Sequence, residues 1–371
     1  MRVILAAGGT AGHINPALAI ADKIKFLFPE SEILFVGAPD GMEAKLVKKA
    51  GYNFRAFKMA GLQRKLSVNN LIRNAKAAYY YITARSNAKK LLKEFKPDVV
   101  IGTGGYVSAP ILLSAAKLGI KTVTHESNSL PGVTTKLLSK NVDMVFTVDE
   151  AAISHLPVKE KAIVTGNPLR NNIPIEEREN ARKKLGLPDG LTILSFGGSL
   201  GANKITEAVI ELLKWENEVG GINHIHGYGG NGREMFDSLM ESEGVKRTER
   251  MILKEYIDNM YTCMCAADII ISRAGAMTLT ELKAIGRASI LIPFPQAAEN
   301  HQYYNALSMS DAGAAILIED KDLDKTRLKE MIKELSENRE RIFNMEKNAA
   351  ALGSRKAADI IVSKIIDLIN D

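Results

Sequence analysis

A chain of 371 residues, 46% hydrophobic and 25% charged, has the size of two folded domains and the composition of a globular protein. No run of about 18 apolar residues occurs, which excludes a helix that crosses a membrane. MRVILAAGG meets its first glycines after a short apolar run, too short for the core of a signal peptide. The net charge of +6 is unevenly spread: residues 1–166 carry +11 and residues 167–371 carry −5.

Taken in chain order, apolar runs at 3–7, 33–36, 99–101, 122–124, 144–148 and 162–165 read as strands, with helical patterns between them, as at 15–28 and 85–95. This alternation predicts an α/β fold with a mostly parallel sheet covered on both faces. TGNPLRNNIP, residues 165–174, interrupts it with two prolines and three asparagines and reads as a linker. Strand-like runs resume at 192–196, 222–226, 251–253, 268–272, 289–292 and 314–318. The segment SRKAADIIVSKIIDLIND ends the chain as an amphipathic helix. The two cysteines, Cys263 and Cys265, stand one residue apart, too close to pair, and read as free thiols of a reducing compartment.

Two units of the same kind stand about 190 residues apart, RVILAAGGTAGHINPALAI and LTILSFGGSLGANKI. Each is a strand, a glycine-rich turn and the start of a helix, an arrangement that points backbone N–H groups and a helix dipole at an anion. The doubling predicts two similar α/β domains facing each other across a cleft. In the first half, Gly8 to His13 form one such loop. Gly102 to Tyr106 form a second, and His125, Glu126, Ser127 and Asn128 follow a strand where α/β proteins place their ligands. In the second half, SRAGAMTLTEL opens a helix whose first turn suits a phosphate, with Glu281 placed to accept from ribose hydroxyls. Glu299, Asn300, His301 and Gln302 read as sugar contacts.

Two motifs are decoys. Gly227, Gly229 and Gly232 match a dinucleotide fingerprint by letter, but their strand is polar and lies inside a domain. Asp320, Asp322 and Asp324 look like a metal loop and read instead as the head of a charged helix. Residues 44–93 hold thirteen lysines and arginines and no acid, a face suited to an anionic partner.

GGTAGHINPALA, GTGGYVSAP, HESNSLPG, TGNPLR, FGGSLGA, SRAGAMTLTE and NHQYYNA occur in this order. Together they closely resemble the MurG family, bacterial transferases of N-acetylglucosamine from UDP onto lipid-linked N-acetylmuramyl-pentapeptide. The resemblance implies the GT-B architecture: an acceptor- and membrane-facing Rossmann-like domain over 1–166, joined by the returning helix 354–371, and a UDP-sugar domain over 167–353. It implies that Thr10, Ala11 and Gly12 approach the sugar and diphosphate and that Asn128 contacts the sugar. It places Arg170 and Ser199 at the diphosphate, Ile257 on the uracil, and Ala276, Met277, Thr278, Leu279, Thr280 and Glu281 around phosphates and ribose, with Gln302 on the sugar.

Tyr106 and His125 would stand on the acceptor side. Ala11 replaces a frequent glycine, and His301 stands where some members have glutamine. The implied chemistry is one inverting displacement without metal or cofactor. For this a base must take the acceptor's proton. His13 is read as that base and Glu126, beside His125, as the alternative. The implied partners are UDP-N-acetylglucosamine, undecaprenyl-pyrophosphoryl-MurNAc-pentapeptide and an anionic membrane surface at the cytoplasmic face, with no nucleic acid. The competing readings are a UDP-sugar epimerase or other transferase of the same architecture, and a membrane-docked subunit that only binds nucleotide-sugar.

Overall fold

The computed structural model describes residues 1–59, 68–170, 174–198, 201–230 and 232–371, and the side chains at 68–76 and 78 are outside that description. Ser199, Arg64 and Lys65 therefore lie outside the described residues, as do the side chains of Leu71, Ile72, Arg73 and Lys76. The chain divides into two compact units, Met1–Asn171 with Ser354–Asp371, and Asn172–Gly353.

Unit 1 runs β1 (Arg2–Ala6), α1 (Ala11–Leu27), β2 (Glu32–Gly37), α2 (Met42–Lys49), β3 (Asn53–Ala56), α3 (Val68–Phe95), β4 (Val99–Gly102), α4 (Ser108–Lys117), β5 (Lys121–Glu126), α5 (Val133–Leu138), β6 (Met144–Thr147), α6 (Glu150–Ser154) and β7 (Ala162–Val164). Its sheet has the order β3-β2-β1-β4-β5-β6-β7, and every pairing is parallel. Parallel strands with helices on both faces need apolar side chains on both, so β1 and β4 read as unbroken apolar runs. One face carries Val3, Leu5, Ile14, Ile20 and Ile24, the other Ile4, Val100, Ile111 and Leu112.

Unit 2 runs α7 (Arg178–Leu185), β8 (Leu191–Phe196), α8 (Asn203–Val219), β9 (Ile222–Gly227), α9 (Arg233–Ser242), β10 (Met251–Lys254), α10 (Met260–Ala266), β11 (Ile269–Ser272), α11 (Ala276–Ile285), β12 (Ala288–Leu291), α12 (His301–Asp311), β13 (Ala315–Leu317), α13 (Arg327–Glu337) and α14 (Arg339–Ala351). Its parallel sheet has the order β10-β9-β8-β11-β12-β13. Both sheets are Rossmann-like, and in each the strand order reverses beside the first strand, which is where such folds place ligands.

The last helix, α15 (Ala357–Asn370), belongs to unit 1. It packs on α1, buries Ile361, Val362 and Ile365 completely, and its Asp359 pairs with Lys23 of α1. Fully burying one such aliphatic side chain contributes about 1.5–3 kcal/mol, so α15 is core to unit 1.

Candidate active site

Unit 1 brings three loops together at the C-terminal ends of the adjacent strands β1, β4 and β5. The first is Gly8 to Thr10, with Gly9 at φ +90°. Thr10 caps α1 without a side-chain hydrogen bond; its carbonyl accepts from His13 N at 3.1 Å, and no side chain among the described residues caps the amides of Ala11 and Gly12. His13 lies in that turn. Its Nδ1 is 3.0 Å from the Gly8 carbonyl. A carbonyl only accepts, so Nδ1 is the donor in this contact, and in the tautomer it selects Nε2 is the acceptor.

The β4 loop presses on this histidine. A Cβ on Gly104 would lie 2.5 Å from His13 Cδ2 and 2.9 Å from Nε2, and one on Gly105 would collide with the Gly8 carbonyl. Both glycines have positive φ. Thr103 Oγ1 donates to the His13 carbonyl at 2.7 Å. Tyr106 is part-exposed, and burial, then the Glu43 charge, raise its phenol above the ordinary value.

The third loop is tied in through a proline. Pro16 has no N–H to give the Gly12 carbonyl. Ser127, just after β5, donates to that carbonyl instead, at 3.4 Å. His125 is fully buried and Nε2 donates to the Gly166 carbonyl at 3.2 Å; burial lowers it to about 4, so it stays neutral. Glu126 is 4% exposed and accepts from Asn128 N, Asn128 Nδ2, Gly132 N and Thr135 Oγ1 at 2.6–3.1 Å. The four donors occupy both of its oxygens. Its geometry is that of a loop organiser, and it holds Asn128 in place.

Glu43 is a residue that the motif reading passed over. It is 1% exposed and accepts from Gly9 N at 3.3 Å and Ala38 N at 2.9 Å, bracing the first glycine loop from below. The available signal was its place as the last acid before the acid-free stretch. Arg170, expected at the diphosphate, donates from Nε to Asp22 Oδ2 at 2.7 Å. Asp22 lies eleven residues beyond the start of α1, about 16 Å along the helix axis. In this structure Arg170 is therefore not among the groups gathered at the β1, β4 and β5 loops.

Unit 2 forms a pocket of about 200 Å³ lined by Phe196, Gly198, Gly227, Glu255, Tyr256, Ile257, Met260 and Glu281. It lies at the C-terminal ends of β8, β9 and β10. Gly227 belongs to the fingerprint decoy, and its role here is room: a Cβ would stand 3.2 Å from Ile257 Cδ1. The Ile257 side chain is buried in the core below. Glu281 projects from α11, where burial pushes its carboxyl up to about 7 against a lowering hydrogen bond from Tyr261.

Gly275 caps α11 without a side chain, which leaves the amides of Ala276, Met277 and Thr278 for an anion. Leu279 is buried core, and Thr280 Oγ1 donates back to the Ala276 carbonyl at 2.8 Å. Gln302 Oε1 accepts from Phe294 N at 2.9 Å, so the side chain braces the loop after β12. His301 Nδ1 donates to the Ala298 carbonyl. Asp320 pairs with Arg273 at 2.6 Å. Asp324 accepts from Thr326 N and Arg327 N at the head of α13, as the charged-helix reading expects.

Two Rossmann-like units, one with a histidine in the first turn of α1 and one with a pocket that Glu281 lines, have the architecture of a nucleotide-sugar glycosyltransferase. Residues 3–147 match the glycosyltransferase family 28 N-terminal domain and residues 192–361 its C-terminal domain. The chain is 42% identical to the UDP-N-acetylglucosamine–N-acetylmuramyl-(pentapeptide) pyrophosphoryl-undecaprenol N-acetylglucosamine transferase of Desulforamulus reducens, over 99% of each chain. It is 40% identical to the transferase of the same name from Acetivibrio thermocellus, over 100% of this chain and 99% of that one. The crystal structure of Acinetobacter baumannii MurG superposes with a TM-score of 0.77 at 27% identity, covering 99% of both chains. A UDP-GlcNAc 2-epimerase from Neisseria meningitidis shares the fold at TM-score 0.66 and 17% identity, over 99% of this chain and all of that one. The chain belongs to the MurG family of glycosyltransferases.

Proposed function

We propose that this chain transfers N-acetylglucosamine from UDP-N-acetylglucosamine to the 4-hydroxyl of a lipid-linked N-acetylmuramyl-pentapeptide. The observation that carries this reading is the end-to-end likeness, near 40% identity, to transferases of that name. Unit 2 seats the nucleotide: the Ile257 backbone meets the uracil, Glu281 the ribose, and the open amides at the head of α11 a phosphate. Unit 1 supplies the base. The acceptor oxygen attacks the sugar C1 as the bond from C1 to the diphosphate oxygen breaks, and configuration at C1 inverts. The acceptor proton goes to His13 Nε2, the nitrogen left unprotonated by the Gly8 contact. UDP leaves with the bonding pair, and fixed backbone amides stabilise its growing charge. Glu126 acts by holding Asn128 and its loop, and Tyr106 stands on the acceptor side.

The acid-free stretch gives unit 1 a further role, docking on an anionic membrane that carries the acceptor. No helix among the described residues is long and apolar enough to cross a membrane. Tyr79 and Ile82 on α3 are 64% and 69% exposed, and Arg85 lies over the Tyr81 ring. Such rings and basic side chains suit the headgroup region. The transferase reading is tested by product analysis with purified protein. UDP released only when the lipid-linked acceptor is present, with a new disaccharide-lipid formed, supports it. UDP release or sugar isomerisation without acceptor overturns it in favour of an epimerase or hydrolase.

A further inference from the structure

Glu281 is not alone in the pocket wall of unit 2. Tyr261, in the first turn of α10, donates its hydroxyl to Glu281 Oε1 at 3.0 Å. The residue before it, Met260, lines the same pocket. Glu281 Oε2 has no donor among the described residues.

The helix that carries this tyrosine is held firmly for its seven residues. Cys263, Met264 and Cys265 are buried. Arg287, just past α11, donates to the Met264 carbonyl at 3.2 Å and the Cys265 carbonyl at 2.7 Å, while Arg182 of α7 takes the Ala266 carbonyl at 3.0 Å. The carbonyl end of α10 is thus clamped by two guanidinium groups, and its first turn is fixed relative to α11.

We propose that Tyr261 is a positioning residue for donor recognition: it pins one oxygen of Glu281 so that the other is presented to the ribose hydroxyls of a uridine nucleotide. This rests on the reading of Glu281 as the ribose contact. A carboxylate on three rotatable bonds pays entropy when it is fixed by a ligand, and one fixed beforehand does not. The tyrosine has a second effect in the same direction. Burial favours the neutral acid of Glu281, and a hydroxyl that donates to the carboxylate opposes this. Glu255 and Tyr256 share the pocket, and α12 and α14, which also pack on α11, carry His301, Tyr304 and Glu346. Tyr261 is the group that acts on this carboxyl.

The test is calorimetric titration with UDP-N-acetylglucosamine, whose diphosphate diester does not titrate near neutrality, between pH 5.5 and 8.5. Wild type should bind more tightly as pH rises through about 7, as Glu281 ionises. Tyr261→Phe should weaken binding about three- to tenfold at pH 7, the net worth of one ordinary hydrogen bond. It should also move the midpoint of the pH profile upward. The 2′-deoxyribose donor should lose less affinity in Tyr261→Phe than in wild type, because the carboxylate that reads the hydroxyl is less well placed. A Tyr261→Phe profile that coincides with wild type, or lies parallel to it with the same 2′-deoxy penalty, overturns the positioning role. Glu281→Gln separates the two readings. If that variant binds donor as wild type does, the ribose assignment itself fails; if it loses affinity while Tyr261→Phe does not, only the tyrosine's role fails.

Discussion

The base role proposed for His13 rests on one contact, that of Nδ1 with the Gly8 carbonyl. With Nδ1 donating to the Gly8 carbonyl, Nε2 is an acceptor before any substrate arrives. His13→Ala should lower turnover by about 100-fold or more, with donor affinity and thermal midpoint close to wild type. Retained turnover in a steady-state assay removes His13 from the base's role. Glu126 makes the opposite expectation. Its four donors mark a structural side chain, and Glu126→Ala strands buried donors at about 1–3 kcal/mol of cost each in the worst case. A fall of several degrees in the thermal midpoint should therefore accompany its loss of activity. A variant that is inactive yet as stable as wild type points to direct chemistry by Glu126. The difference between the two residues was not legible in GGTAGH and HESN, because it depends on which atoms point at each side chain.

Among the elements, strands buried on both faces declared themselves by their mostly apolar runs; β1, β4, β8, β11 and β12 are all of this kind. Strand β3 did not. NFRA is four residues at a sheet edge, mostly exposed, so no burial pattern marks it. Helix α3 runs from Val68 to Phe95, well beyond the helical pattern read at 85–95. The polar strand β9, taken as evidence against a nucleotide fingerprint, holds a buried relay. Glu216 accepts from His224 Nδ1 at 2.8 Å, and Ser195 Oγ lies 2.7 Å from both His224 Nε2 and His226 Nδ1. Burial first, then the neighbouring His224, lower His226 to about 3, and burial lowers His125 of unit 1 to about 4. The unfolded chain takes these protons below about 6.5 while the folded chain does not. Stability is therefore complete above that pH and is lost as pH falls toward the folded values. At pH 5 the loss is about 2 kcal/mol for each histidine. Urea unfolding at pH 7.5 and pH 5 checks this, and equal free energies at the two values exclude it.

For the molecule as a whole, the charge asymmetry predicts how it meets a surface. Vesicles containing an anionic lipid should retain the protein, neutral vesicles should not, and rising salt should release it, since each basic residue near such a surface contributes about 1 kcal/mol that salt screens. Changing Arg85, Lys89 and Lys90 together to glutamate should abolish retention without altering donor binding. Equal co-sedimentation with neutral and anionic vesicles excludes the docking face and leaves the transferase reading untouched. A separate consequence follows from α15. Unit 2 is inserted between the sheet of unit 1 and the helix that completes it. On the ribosome, β1 to β7 emerge first, yet Val3, Ile20 and Ile24 lack the cover of Ile361, Val362 and Ile365 until all of unit 2 has been made. The order of synthesis and the order of folding are thereby opposed: the half made second can close first, and the half made first must wait, its apolar face open, for chaperones or for its own distant helix.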